Sequence, residues 1–259
     1  LFYQNIISFV FLGIFYFFNF KKLKITSQIF NFFFLISISG VVIPGTLFYI
    51  AASKVPAGIL SLSVAFVPML TYVSSLYLKI ETFSLLRISG VFLGFIAIFL
   101  LIGPPDSFAD RSMVPWVLLA MICPICYTFE NVFIDIKKPI EVNSITLALG
   151  SSAITILILL PVVFYFELFI DIKYPFQKIE FSIIALGFIT AVAYTLFIYL
   201  ITNAGAVFAS NVGYVVTISG VIWGIVLFQE THSYWVWLSL ITMIIGLSLV
   251  SPRRKTKKY

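Results

Sequence analysis

Charge is scarce in this chain. Only 10% of its 259 residues are Asp, Glu, Lys or Arg, against about a quarter in an average soluble domain. Hydrophobic residues make up 61%, too many for a water-soluble core of this size to hide. There is one histidine, His232, and there are two cysteines, Cys123 and Cys126. One imidazole and two thiols far apart in sequence do not make a four-ligand metal set. The C-x-x-C lies inside an apolar run, and no second cysteine pair exists to exchange with it, which argues against thiol redox chemistry. No cofactor or metal is therefore expected. No basic face with interleaved aromatics occurs, so no nucleic-acid partner is expected despite the net charge of +6. No linker, low-complexity tract or polar stretch is long enough for a soluble domain.

Long apolar runs fill the space that charge leaves. Nine of them, 1–20, 28–50, 56–78, 83–103, 114–134, 142–165, 182–202, 206–228 and 233–251, have the length and continuity of membrane spans. Within hydrocarbon each backbone group must be paired inside its own element, and barrel strands would alternate in polarity and be about half as long. The runs therefore predict helices, and the fold class is all-α integral membrane, with the lipid bilayer as one partner.

The cations orient the spans. With the C-terminal end inside, Lys21, Lys22, Lys24, Lys79, Arg87, Lys137, Lys138 and the five cations of 252–259 share the cytoplasmic side. Lys54, Arg111, Lys173 and Lys178 fall on the other. This bias of twelve to four predicts a basic cytoplasmic tail and places residue 1 outside. Nine spans with an external start predict one further helix ahead of Leu1, giving ten with both termini cytoplasmic. A bacterial inner (plasma) membrane is the expected location.

The chain also matches itself. Shifted by 149 positions, Glu81-Thr82 of LKIET meets Glu230-Thr231 of LFQET, and Thr46-Leu47-Phe48 meets Thr195-Leu196-Phe197. Ala57, Ser61 and Val67 meet Ala206, Ser210 and Val216. The register predicts two repeats, 1–103 (lacking its first helix) and 114–251, each of five helices when complete. An odd number inverts the second copy, and inverted repeats are the architecture of secondary transporters, with the solute held near the midplane. Each Glu-Thr then marks the corner before the last helix of its repeat. There the carboxylate suits the next helix's N-terminus and Thr can cap it. A gating role for Glu81 and Glu230 is the alternative.

Residues 56–101, PAGILSLSVAFVPMLTYVSSLYLKIETFSLLRISGVFLGFIAIFLL, resemble the signature half of the EamA-type drug/metabolite transporters. The shared features are a Pro-Ala helix start, a mid-helix Pro68, an acidic corner and a last helix containing glycine. Residues 205–250 are similar, with Thr217 in place of the proline. The family's glycine before the corner Glu is Ile80 in one half and Gln229 in the other. The resemblance implies a ten-helix, five-plus-five inverted carrier fold with nine helices in this chain. It also implies movement of a small-molecule solute and leaves the solute open.

Glu130 is the sharpest candidate residue. It lies inside 114–134, about 10 Å from the cytoplasmic end at roughly 1.5 Å per residue. Carboxylates within spans are costly and mark function or an interfacial partner such as Lys137, so Glu130 is a candidate proton-coupling residue. Candidate solute-binding residues are Thr46, Tyr49, Ser61, Ser63, Tyr194, Asn211, Tyr214 and Thr217; each could equally bond between helices. They offer hydrogen bonds and aromatic faces with little fixed charge, which suits a neutral or zwitterionic solute such as an amino acid. GVFLG (90–94) and GVIWG (220–224) predict close helix packing within a monomer, or a homodimer contact. The expected activity is alternating-access transport, not enzymatic. An integral-membrane thiol oxidase or lipid-headgroup transferase, or a membrane scaffold, are the alternatives.

Overall fold

The computed structural model describes residues 1–19, 24–104, 106, 111–169 and 178–250. Lys21, Lys22, Lys173 and the basic tail 252–259 lie outside the described residues. Among those described there are nine apolar helices and no strand. They are α1 (Phe2–Asn19), α2 (Ser27–Ala52), α3 (Ala57–Tyr77), α4 (Leu85–Ile102), α5 (Arg111–Lys137), α6 (Ser144–Tyr165), α7 (Lys178–Ala204), α8 (Ala206–Phe228) and α9 (Tyr234–Val250). Seven are long and apolar enough to cross a membrane; α1 and α9 are shorter. Each falls on one of the nine runs read from the sequence. α3 and α8 begin 149 residues apart, and so do α4 and α9.

The helices sort into two compact units. The first comprises Leu1–Thr46 and Phe133–Asn203. Here α1 lies along α6, and the start of α2 packs on α6 as well. Thr26 and Asn143 cap α2 and α6, accepting from the N–H groups of Ile29 and Thr146. Short backbone residues let the helices close. A Cβ on Gly150 would strike the Phe33 ring, and one on Gly187 would lie 2.5 Å from Ile7 Cβ. Ser37 opens a π-helical stretch of α2, Ser37–Val42, and its hydroxyl donates to the Phe33 and Ser151 carbonyls. Gln4 donates to Thr190 Oγ1 at 2.6 Å, tying α1 to α7.

The second unit comprises Leu47–Val132 and the chain from Ala204 onward. α4 packs along α9 and α3 along α8. Two apolar clusters fill it, one around Leu60, Leu62, Val221 and Leu240 and the other around Phe66, Met69, Met243 and Leu247. Both glycine pairs are spent inside this unit. Gly90 lies on the Gly246 backbone, Gly94 on Met69, Gly220 on Ser61, and Gly224 on Glu230. Only Gly205 separates α7 from α8, at φ 88°, a conformation that suits glycine.

Candidate functional site

The second unit holds most of the residues singled out from the sequence, and its two central helices are both interrupted. In α3 the regular helix stops at Val64 and resumes at Val67. Pro68 has no N–H to give the Val64 carbonyl, and Phe66 N–H turns back to Ser63 O at 3.1 Å. α8 breaks without proline. Asn211, Gly213 and Tyr214 each donate three residues back, to Phe208, Ser210 and Asn211, in a tightened turn. The Ser210 hydroxyl takes up the Val207 carbonyl at 2.9 Å. These two interruptions meet, because a Cβ on Gly213 would lie 3.4 Å from Val64 O and 3.5 Å from the Pro68 ring. They are not equivalent in the 149-residue register.

One turn toward the start of α3, the helices lock. Ser61 Oγ donates to Thr217 O, and Thr217 Oγ1 donates to Ser61 O, both at 3.1 Å. Ser63 is buried and donates to Leu60 O on its own helix. The hydroxyls of Ser61, Ser63 and Thr217 are thus engaged in protein bonds. A double-mutant cycle of Ser61→Ala with Thr217→Val is expected to give a coupling of about 0.6–1.7 kcal/mol, the range of interhelical bonds in membranes. Additivity within error in thermal unfolding would show that the lock contributes nothing.

Other polar atoms of this unit are buried without partners. Asn211 Oδ1 and Tyr214 OH have none, and neither do both side-chain polar atoms of Asn131 or the hydroxyl of Ser75. Unsatisfied polar atoms in an apolar setting cost about 1–3 kcal/mol each, so a set of them marks a place built for something other than stability. Glu130 is 2% exposed, beside Asn131 at 1%. Thr128, on the same helix, reaches Thr71 Oγ1 at 3.4 Å on α3. Tyr127 stands within electrostatic range of Tyr49, Cys123, Cys126 and Glu130, which brings two of the expected residues, Tyr49 and Glu130, into one neighbourhood. Tyr49 is 45% exposed. Thr46 and Tyr194 belong to the first unit. That unit has an apolar cavity of about 330 Å³, polar only at Tyr16 and Thr146, and none of the expected solute-binding residues line it.

The two Glu-Thr corners differ from expectation and from each other. Glu230 does not serve the helix that follows it. Its carboxylate reaches back to the head of α3, accepting from Ala57 N–H at 2.6 Å and Gly58 N–H at 3.0 Å. α3 begins with Pro56 and has no side-chain cap of its own. Glu230 therefore satisfies two of its free amides and meets the positive end of its dipole. His232 Nε2 lies 3.4 Å from Glu230 Oε2, an ion-pair distance without hydrogen-bond geometry. Glu81 instead pairs with Arg87 at 2.9 Å, and the Arg87 guanidinium lies 5.1 Å from the centre of the Tyr72 ring. Tyr72 OH donates to Thr82 O and accepts from Ser84 N–H, so it pins that corner through backbone. Thr82 and Thr231 are exposed, and Ser84, the residue at the cap position before α4, makes no side-chain cap bond, which corrects the expected Thr82 cap.

Gln229 sits at φ 53° where it ends α8, at the position where the resembled family carries glycine. Gln229→Gly is expected to raise stability by about 1 kcal/mol, the cost of a left-handed residue with a Cβ. A lowered melting temperature would refute the strain. Asn131, Ser75, Thr71, Arg87 and His232 were not among the residues expected from sequence. Asn131 carried the same signal as Glu130, a polar side chain inside an apolar run.

Apolar helices among the described residues, seven of them long enough to cross a membrane, define an all-α integral membrane protein. The sequence matches the EamA-like transporter family over residues 1–103 and 114–251. The chain belongs to that family, within the drug/metabolite transporter superfamily. A solved crystal structure of a protein 16% identical to it superposes with a TM-score of 0.66, covering 96% of this chain and 88% of that one. At that identity the likeness speaks for the fold alone. Comparison with curated proteins gave no match.

Proposed function

We propose that the protein is a secondary transporter that moves a neutral or zwitterionic small organic solute, an amino acid or similar metabolite, by alternating access. The observation that carries this is the set of buried, unpartnered polar atoms on Asn211 and Tyr214, at the broken segment of α8, and on Asn131 in the same unit. Broken helices at span centre expose backbone groups to a bound solute at low desolvation cost. These three groups are neutral, and Glu130 is the acid buried beside Asn131. A phosphate ester would find no cation there. The common spacing of 149 residues between helix starts supports the ten-helix inverted repeat. The charge bias supports an inner-membrane orientation with both termini of the full-length protein cytoplasmic.

Glu130 is the proposed proton-coupling residue, because it is buried near the cytoplasmic end of α5. Reconstituted full-length protein should show saturable uptake of one class from a panel of amino acids, amines, neutral metabolites and phosphate esters. Asn211→Ala and Tyr214→Phe should each raise KM about tenfold, the loss of one hydrogen bond near 1.4 kcal/mol. Glu130→Gln should abolish the response to a pH gradient while solute counterflow persists. Saturable exchange of phosphate esters alone would overturn the solute class. Unchanged gradient dependence in Glu130→Gln would remove the coupling role.

A further inference from the structure

We propose that His232 is a proton-binding site, and that binding a proton there releases the corner between α8 and α9 from the head of α3. As a step in gating, this rests on the carrier reading above; as a binding site it does not.

The seat is unusually closed for a titratable group. The His232 side chain is 1% exposed, and neither ring nitrogen has a hydrogen-bond partner. Nε2 faces Glu230 Oε2 at 3.4 Å, and the ring meets Trp237 edge-on with centroids 6.2 Å apart. A Cβ on Gly58 would lie 2.7 Å from His232 Nε2 and 3.0 Å from Glu230 Oε2. A Cβ on Gly224 would lie 2.5 Å from that same oxygen. The imidazole and the carboxylate are thus wedged together between two glycine backbones, and they move as one piece.

A neutral imidazole fits this seat, with one N–H toward Glu230. A protonated ring carries two N–H donors. Only one acceptor is near, so the Nδ1–H would be left bare. Its charge would also stand at the head of α3, where the amides of Ala57 and Gly58 already present the positive end of the helix dipole. Asp106, in the loop between α4 and α5, is exposed, and among the described residues the helices around the seat add no other charge. Residues 57–77, 206–228 and 234–250 contain no Asp, Glu, Lys, Arg or second His. Their titratable groups are Tyr72 and Tyr77 at the far end of α3, Tyr214 at the α8 break and Tyr234, which is exposed. Lys54 is exposed, Arg111 donates to Gly103 O, and Arg87 is held by Glu81 at the other corner.

Burial accordingly holds His232 below the ordinary imidazole value, and the Glu230 carboxylate offsets part of that shift. The sign of the linkage follows. A site that binds protons more weakly when packed is unpacked by protonation. The latch is favoured above an ordinary imidazole pKa of about 6.5 and loses its advantage as pH falls through the lowered midpoint. The charge bias makes this corner external, so acid outside would loosen it. Glu230 leaves with the ring and uncovers the amides of Ala57 and Gly58.

His232 is the single histidine of these 259 residues, and the signal lost in His232→Gln identifies its titration. The experiment uses tag-free full-length protein in lipid nanodiscs, labelled at histidine for NMR. Hydrogen exchange of the 57–58 amides, corrected for intrinsic rate, is measured over the same pH series. The expected result is a midpoint below about 6.5, lower again in Glu230→Gln. Amide protection should fall through that midpoint, about tenfold for each pH unit separating the packed and free values. In His232→Gln the protection should be flat with pH. A midpoint at or above the free value, or protection that ignores it in the wild type, would overturn the proposal. Neither readout needs solute flux, so failure here and failure of the carrier reading are distinguishable.

Discussion

Replacing Glu230 with Ala should lower the stability of the protein by about 3 kcal/mol, the order of two charge-assisted hydrogen bonds and a lost helix cap. The carboxylate accepts from two amides at the head of α3, and α3 runs through the centre of the second unit. Its loss takes from those amides both of the acceptor oxygens they use. Glu230→Gln keeps the shape and one acceptor oxygen, but turns an NH₂ group toward an amide donor, so about half the loss is expected. Glu81→Ala should cost less, about 1 kcal/mol, because it loses one ion pair, its own carboxylate is 27% exposed, and Tyr72 already pins that corner. Thermal unfolding in detergent orders the three. Equal losses for Glu81→Ala and Glu230→Ala would mean that the two corners are equivalent and that the cap on α3 does not matter.

The second large effect belongs to Gly90. A Cβ there would run into the Gly246 backbone oxygen and lie 2.8 Å from Val250 Cγ2 and 3.0 Å from Leu249 Cβ. The reverse contact, a Cβ on Gly246, would sit 2.7 Å from Gly90 O. Because backbone meets backbone, no rotamer relieves the clash, and α4 must move off α9. Gly90→Val should therefore cost about 3 kcal/mol or more, the upper end of overpacking penalties, and reduce folded yield sharply. Gly13→Ala is the control. Its Cβ would rest 3.9 Å from Leu149 Cδ1, so the helix-propensity gain of up to about 1 kcal/mol should survive. If Gly90→Val retains wild-type stability, the close α4–α9 crossing is wrong.

The spans were legible because membrane helices announce themselves by continuous apolar length, and each predicted run carries a helix. Short identities at a spacing of 149 suggest a repeat, and the starts of α3 and α8, and of α4 and α9, share that spacing. The corners were legible as places but not as contacts. Glu230 reads as a cap for its own neighbour, yet its partners lie 172 and 173 residues away, beyond any local pattern. The same holds for GVFLG and GVIWG, whose sequence says that something approaches closely but not what. The break in α3 had Pro68 as a signal. The break in α8 has none beyond Ser210 and Asn211, polar residues able to compete for backbone, and these are common enough in spans to pass unnoticed. Asn131 shows in sequence as a polar side chain inside an apolar run, yet that its polar atoms and the Ser75 hydroxyl lack partners is visible only once their surroundings are known.

The distance between Glu230 and the helix it covers also bears on biosynthesis. α3 leaves the ribosome bare at its head, and the carboxylate that completes it is encoded 173 residues downstream of Ala57. At about 5–20 residues per second, that is roughly ten to thirty seconds during which α3 waits with open amides. Through that interval the head of α3 is unfinished, although Thr26 already caps α2. The second unit can close at that point only when the α8–α9 corner arrives.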